Sequence, residues 1–238
     1  MQLYFSNRRN DNMVLLDEEE SAHATRVMRL KEGDEVFVTN GEGEIFQCRI
    51  AHIGKKEIAA QIENVSKGKD EKNKLHIAIA PTKNIDRFEW FLEKSVELGI
   101  GKITPLICDR SERKEVRTDR LNKILLAAMK QSNHTHLPLL CEAVSFKLLM
   151  AEIPEQERWI AHCAEGEKNH LYDGLNVQQN TLVMIGPEGD FSAREIEQAF
   201  QHHFKPVSLG ESRLRTETAG VAVAAMFALK RDLLKANH

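Results

Sequence analysis

The feature that most constrains this chain is a change in its hydrophobic pattern near residue 70. Before it, short apolar runs at 35–39, 45–50 and 58–62 are separated by turn residues, including the Asn40-Gly41 dipeptide, which is typical of tight β-hairpins. After it, apolar runs of strand length alternate with segments of helical periodicity. A 238-residue chain with such a change is expected to form two domains of different class.

The N-terminal part of the chain predicts a small all-β domain. Its strands are joined by one predicted helix over 18–29, and several short strands in about 65 residues favour a small barrel. The segment 66–73 has no hydrophobic periodicity, so we place the boundary there and expect domains at 1–68 and 74–238.

The longer C-terminal part predicts an α/β domain. Repeated β–α units imply a mainly parallel sheet with helices on both faces. A capping box marks a helix start at Ser192, and Thr216 is expected to cap the last helix, 217–235. The predicted strands lie at 75–80, 103–108, 139–142, 159–162, 182–185 and 207–209, and further helices at 86–98 and 119–132.

Composition excludes some classes of function but does not identify the function. The net charge is −3, while residues 81–136 carry 11 Lys+Arg and 8 Asp+Glu, so a nucleic-acid partner is allowed and not demanded. The four cysteines form no CxxC pair, and the histidine pairs 134/136 and 202/203 lack matching partners, so no metal is expected. Without a long apolar run or a secretory signal, we expect a cytoplasmic protein and no membrane span.

Three loops follow predicted strands and carry the strongest chemical signals, at 162–166, 186–190 and 209–216. In an open parallel sheet, ligands bind beyond the carboxyl ends of the strands, and glycines let a backbone approach a ligand closely. The alternative interpretation is a set of ordinary βα turns. The GxGxxG, GxxxxGK[ST], GxSxG and HExxH fingerprints are absent from the sequence, which argues against the enzyme classes that they mark.

Two of these loops together carry a more specific pattern. Gly-Pro-Glu-Gly at 186–189, followed by Leu-Gly at 209–210 and Arg-Leu-Arg-Thr-Glu-Thr-Ala at 213–219, resembles the SPOUT superfamily of RNA methyltransferases. The resemblance is closest to the 16S ribosomal RNA (uracil(1498)-N3)-methyltransferase family and covers nearly the whole chain. Further matching positions are Lys83, Arg87, Trp90, Lys94, Glu97, Leu98 and Gly99, and, in a PUA-like N-terminal domain, His23, Arg26, Val27, Arg29, Gly33 and Asp34.

The resemblance implies a fold, a cofactor and partners. The C-terminal domain is expected to contain a deep trefoil knot that binds S-adenosylmethionine. The protein is expected to act as a homodimer, through the knot and the last helix, on 16S rRNA of the 30S ribosomal subunit. The cofactor-binding residues implied are Cys163, Ala164, Ile185, Gly186, Pro187, Glu188, Gly189, Leu209, Gly210, Leu214, Arg215 and Thr216.

The chemistry of methylating uracil N3 suggests roles for the polar residues of these loops. Arg213 or Arg215 could stabilise negative charge on the ring oxygens, and Glu188 or Glu217 could remove the N3 proton; the sequence does not rank them. The expected RNA contacts are Arg26, Arg29, Lys83, Arg87, Lys94, Arg110, Arg113 and Lys130.

Two departures from the family pattern and two alternative functions stay open. Asp190 stands where relatives often have glycine, and residues 133–136 (Asn-His-Thr-His) replace a stretch that often carries arginine. One alternative is a SPOUT enzyme that modifies another RNA site, such as a ribose 2′-hydroxyl. The other is a non-catalytic RNA-binding assembly factor, which would not bind the cofactor.

Overall fold

The computed structural model describes residues 2–68 and 73–236, in two compact units. The N-terminal unit comprises Met1–Lys72 and Leu126–Leu137, and the C-terminal unit comprises Asn73–Leu125 and Pro138–His238. The boundary segment predicted at 66–73 lies partly outside the described residues. Its first two residues belong to a strand that ends at Lys67.

The N-terminal unit is built on a curled sheet whose described strands have the order β1-β4-β5-β6-β3-β2. All pairs are antiparallel except β1 with β4. Register shifts in the β5–β6 pair increase the local twist, which contributes to the curl of this sheet. The strands are β1 Leu3–Phe5, β2 Arg9–Asn10, β3 Met13–Leu16, β4 Glu35–Thr39, β5 Glu44–Ile53 and β6 Ile58–Lys67.

The predicted helix over 18–29 is wrong in its second half. Helix α1 covers only Glu18–Ala22 and continues as a π-helical turn over His23–Val27. The Thr25 hydroxyl donates to the carbonyl of Ser21, and such side-chain bonds compete with the regular helical ladder. Arg29 then has a φ of 57°, which ends the helical segment.

A segment distant in sequence completes this unit. It contains the end of helix α3, Thr118–Gln131, and the turn after it. The turn pairs with the β4–β5 hairpin: Gly43 N donates to Thr135 O over 3.0 Å, and Leu137 N donates to Gly41 O over 2.8 Å. A Cβ on Gly43 would lie 2.5 Å from the His136 ring. Glycine is therefore required at this turn.

The C-terminal unit is an α/β fold around one parallel sheet, as predicted. The described strands have the order β10-β8-β7-β13-β11-β14-β12, with β9 beside β8, and every pair is parallel. The strands are β7 Leu75–Ile79, β8 Lys102–Ile107, β9 Leu139–Leu140, β10 Val144–Ser145, β11 Glu157–Ala161, β12 Asn169–His170, β13 Thr181–Ile185 and β14 Lys205–Ser208.

The helices of this unit include the four that the sequence pattern predicts, with one correction, and two short helices, at 146–151 and 171–174, that it does not. Besides α3 they are α2 Ile85–Glu97, α4 Phe146–Ala151, α5 Leu171–Gly174, α6 Ala193–Gln201 and α7 Thr216–Ala236. The capping box of Ser192 and Glu195 is present. Thr216 is the first helical residue, and its hydroxyl donates to the carbonyl of Gly186 instead of acting as the predicted cap. Within the described ranges, every helix is too short or too polar to cross a bilayer.

The strand order brings distant parts of the sequence together. Strand β11 lies between β13 and β14, and β12 lies outside β14, although β14 follows β12 along the chain. Because parallel strands end at a common edge, the loops that follow β11, β13 and β14 emerge side by side.

Helices α2 and α7 approach each other closely because α7 contains a glycine. A Cβ on Gly220 would lie 2.4 Å from Cε2 of Phe91 and 3.0 Å from Cδ1 of Ile79. Both of these side chains are fully buried, so neither has room to move aside.

We expect Gly220→Ala to lower the free energy of unfolding by about 1–3 kcal/mol, the usual cost of overpacking a core, although alanine is the better helix former by about 1 kcal/mol. Urea unfolding of the variant measures this loss. Phe91→Leu in the same chain removes the clashing ring atoms, so the double variant should lose less than the sum of the two single variants. Additive losses would contradict the close contact.

Candidate active site

The three loops that carry the sequence signals enclose one cavity of about 900 Å³ over the carboxyl ends of β11, β13 and β14. Of the twelve residues expected to bind the cofactor, only Gly189 does not line it. The other eleven do so: Cys163, Ala164, Ile185, Gly186, Pro187, Glu188, Leu209, Gly210, Leu214, Arg215 and Thr216.

Asp190 joins the first loop to the second. Its carboxylate accepts hydrogen bonds from Cys163 N and from its neighbour Phe191 N, each over 2.9 Å. Its own N–H donates to Pro187 O, which closes a tight turn, and its φ is 63°. Aspartate tolerates this conformation better than most residues, and its carboxylate adds a link between the two loops.

A lysine and a partly buried histidine shape the first loop. The Lys168 ammonium donates to the carbonyls of His162 and Ala164. Both ring nitrogens of His162 are buried and have no hydrogen-bond partner among the described residues. Burial lowers the pKa of His162, Lys168 lowers it further, and Asp190 raises it. The imidazole is therefore neutral near pH 7.

Hydrogen bonds hold the second loop, 186–190, and the segment just before helix α2. Glu188 accepts a hydrogen bond from Lys83 N over 3.0 Å. Arg110 donates to the carbonyl of Gly189 over 2.9 Å, and Arg113 donates to the carbonyl of Lys83 over 2.8 Å. These two arginines, which were expected to contact RNA, use their guanidinium groups to hold loops through backbone carbonyls.

The third loop borders a second cavity of about 590 Å³. Arg213, Leu214 and Arg215 line both cavities, whereas the second cavity alone is lined by Asp86, Arg87, Trp90, Glu217 and Thr218. The two arginines are exposed. The Glu217 carboxylate is buried, and one of its oxygens lies 3.9 Å from Arg87 Nε. The two candidate bases are therefore separated, since Glu188 faces the first cavity and Glu217 the second.

The remaining predicted RNA contacts lie on both units. Arg26 and Arg29 are exposed on the N-terminal unit, where Lys130 pairs with Glu20. On the C-terminal unit Lys83 pairs with Glu112, and Lys94 pairs with Glu93 and Glu97. Among residues 2–68 and 73–236, no three His, Cys, Asp or Glu side chains are grouped to hold a metal ion.

Sequence reasoning gave no role to four residues that build the two cavities: Asp86, Trp90, His162 and Lys168. For the pair on α2 a signal existed, because Asp86 and Trp90 are four residues apart and so lie on one helix face. His162 and Lys168 gave no periodic signal, because their roles depend on loop geometry.

Comparisons with known proteins agree with this arrangement. A model of an RNA methyltransferase domain matches residues 69–228, and one of an RNA methyltransferase PUA domain matches residues 16–63. The chain therefore belongs to the RNA methyltransferase family with an N-terminal PUA domain.

The particular relatives carry a narrower description. The chain is 31% identical to the ribosomal RNA small subunit methyltransferase E of Aquifex aeolicus, over 95% of this chain and 98% of the relative. A probable rRNA-methyltransferase from Porphyromonas gingivalis has a TM-score of 0.91 and 34% identity, over 98% and 100% of the two chains. The Neisseria gonorrhoeae ribosomal RNA small subunit methyltransferase E, bound to S-adenosyl methionine, has a TM-score of 0.86 and 25% identity, over 97% and 98%.

The conformation of Asp190 can be tested with two substitutions. Asp190→Ala and Asp190→Gly both lose the carboxylate, but only alanine keeps a Cβ at positive φ, so we expect the alanine variant to be about 1 kcal/mol less stable. Chemical denaturation measures the difference. At Asp119, in the first turn of α3, the same pair should show the opposite order. Equal stability of the two Asp190 variants would be inconsistent with the observed turn.

The partly buried His162 ring predicts a pH dependence of stability. Its pKa is lowered in the folded protein, so below about pH 6.5 the unfolded chain binds more protons. The stability that the neutral His162 ring contributes is therefore fully present above that pH and is lost as the pH falls. We expect His162→Phe, which keeps a ring in place, to lose less stability between pH 7 and pH 5 than the original protein. Urea midpoints that fall in parallel would exclude this role.

Proposed function

We propose that this protein transfers a methyl group from S-adenosylmethionine to N3 of one uridine in the 16S rRNA of the small ribosomal subunit, a site of the U1498 type. The observation that carries the proposal is the meeting of three glycine-containing loops around one cavity. The relatives named as small subunit methyltransferase E, one of them bound to S-adenosyl methionine, support the substrate class and the cofactor.

The first cavity fits the proposed cofactor. Its 900 Å³ is in the range of small-molecule sites. Gly186 and Gly210 allow close backbone approach, and the unpartnered His162 nitrogens offer hydrogen bonds to a ligand. Asp190 places a negative charge in the wall, which favours a cationic sulfonium. When bound, the cofactor supplies an electrophilic methyl group.

The protein's own residues must then handle the uracil ring. The N3 proton has to be removed, and negative charge spreads onto O2 and O4, where Arg213 and Arg215 can donate hydrogen bonds. Glu217 is the better candidate for the base, because its cavity is also lined by both arginines. Glu188 also lines a cavity with them, but it already accepts a hydrogen bond from Lys83 N.

The remaining features of the proposal concern the fold and the partners. The position of β14 between β11 and β12, both of which precede it along the chain, supports the trefoil knot that the resemblance implies. Exposed Arg26 and Arg29 support RNA binding by the PUA domain through phosphate contacts. We further propose a cytoplasmic homodimer, with domains at 1–68 and 74–238.

The test is methylation of 30S particles from a strain that lacks this activity, with labelled donor and nucleoside identification. We expect labelled 3-methyluridine. Arg215→Ala should lower kcat by about 10²–10³, the typical loss for one charge-stabilising donor, without loss of folding. Arg120→Ala, which removes a surface ion pair with Glu89, is the matched control and should keep its activity.

Two results would reject the proposal or its assignment of Arg215. A labelled 2′-O-methyl nucleoside, or no labelling together with no binding of the donor in calorimetry, would reject the proposed reaction. Normal turnover of the Arg215→Ala variant would remove that residue from the site.

A further inference from the structure

The second cavity contains an aromatic side chain to which the proposed reaction gives no role. Trp90 is 43% exposed and lines this cavity on the same face of α2 as Arg87, three residues earlier. The other tryptophan, Trp159, is 5% exposed and packs against Gly174. An indole at the surface of a polar cavity offers a flat face, and unstacked bases of RNA bind on such faces.

The polar groups of this cavity match uracil better than cytosine. The buried Glu217 carboxylate is an acceptor, and the exposed Arg213 and Arg215 guanidinium groups are donors. Uracil presents an N–H donor between two carbonyl acceptors. Cytosine presents an acceptor at N3 and an amino donor beside it, so its N3 lone pair would face the carboxylate. Two acceptors that face each other repel, so this arrangement disfavours cytosine in the cavity.

The cavity is also in the right place for an acceptor. Arg213, Leu214 and Arg215 border it and also border the first cavity. A base held in the second cavity therefore lies against the loop that encloses the first. Methyl transfer requires donor and acceptor at near-attack distance, which adjoining cavities allow.

We propose that the second cavity is the subsite for an extruded uracil base, with Trp90 stacked on the ring. This assignment rests on the proposed function, and it identifies Trp90 as the residue that holds the base. Arg213 and Arg215 donate to O2 and O4. The N3 proton passes to the Glu217 carboxylate, which becomes a carboxylic acid. The N3 electron pair forms the bond to the methyl carbon, and the pair of the broken C–S bond stays on the sulfur of the donor.

The two tryptophans allow a direct binding test. Trp159→Phe leaves Trp90 as the single indole, and Trp90→Phe leaves only the buried Trp159. Each variant is titrated with a five-nucleotide RNA that has one central uridine or, in its place, cytidine. We expect the uridine RNA to quench the emission of Trp90 and the cytidine RNA to bind at least about tenfold more weakly. Equal quenching by both RNAs, quenching in the Trp90→Phe variant, or no quenching at all would overturn the subsite.

Kinetics on 30S particles provide the second test. Trp90→Ala should lower kcat/KM about 5- to 150-fold, the range for loss of one base–aromatic stack. Trp90→Phe should restore most of this activity. The control Leu148→Ala removes another exposed apolar side chain, which lies outside both cavities, and should have no effect.

The outcomes separate the subsite from the proposed function. If the unmodified protein does not methylate 30S particles, the proposed function fails. If it does and Trp90→Ala is equally active, only the subsite fails. Trp90 does not line the first cavity, so calorimetry with S-adenosylmethionine should give unchanged affinity in the Trp90→Ala variant. Loss of donor binding or a changed oligomeric state would show a structural role and reject the assignment.

Discussion

The site depends on one constraint, the order of three neighbouring strands in a parallel sheet. Because β11 lies between β13 and β14, three loops distant in sequence emerge together, and two hydrogen bonds then fix them to one another. Asp190 accepts from Cys163 N, and Thr216 donates to Gly186 O. Without that order, neither bond could form and the glycines would be ordinary turn residues.

A second theme is the use of charged side chains to hold loops. Arg110, Arg113 and Lys168 each donate to backbone carbonyls of loops at or beside the first cavity. Such bonds preorganise the backbone, and a preorganised site loses less free energy on binding. The cations still available at the site are concentrated in the third loop, where Arg213 and Arg215 border both cavities. Under the proposed function, this division separates the residues that position the donor from those that recognise the acceptor.

Local patterns predicted most of the elements, and they missed features that apolar periodicity does not encode. The capping box at Ser192 and the helix before Gly99 follow from short-range rules. The π-helical turn over His23–Val27 and the incorporation of Leu126–Leu137 into the N-terminal unit do not. The π-helical turn accompanies a local bond from Thr25 to Ser21 that apolar periodicity does not reveal, and the incorporation of Leu126–Leu137 depends on contacts between segments distant in sequence. The role predicted for Thr216 was wrong for the same reason, since its partner is thirty residues away.

The sequence by itself determined the two-part organisation, the parallel α/β class of the longer part and the three loops that carry the chemistry, because periodicity and turn residues are local properties of the chain. It also placed Glu188 and Glu217 as equal candidates for the base. Only the tertiary structure distinguished them. Glu188 accepts a hydrogen bond from Lys83 N, whereas Glu217 is buried in a cavity that Arg87 and Trp90 also line. The physical reason is that strand order and helix packing, which no short pattern encodes, decide which cavity a side chain faces.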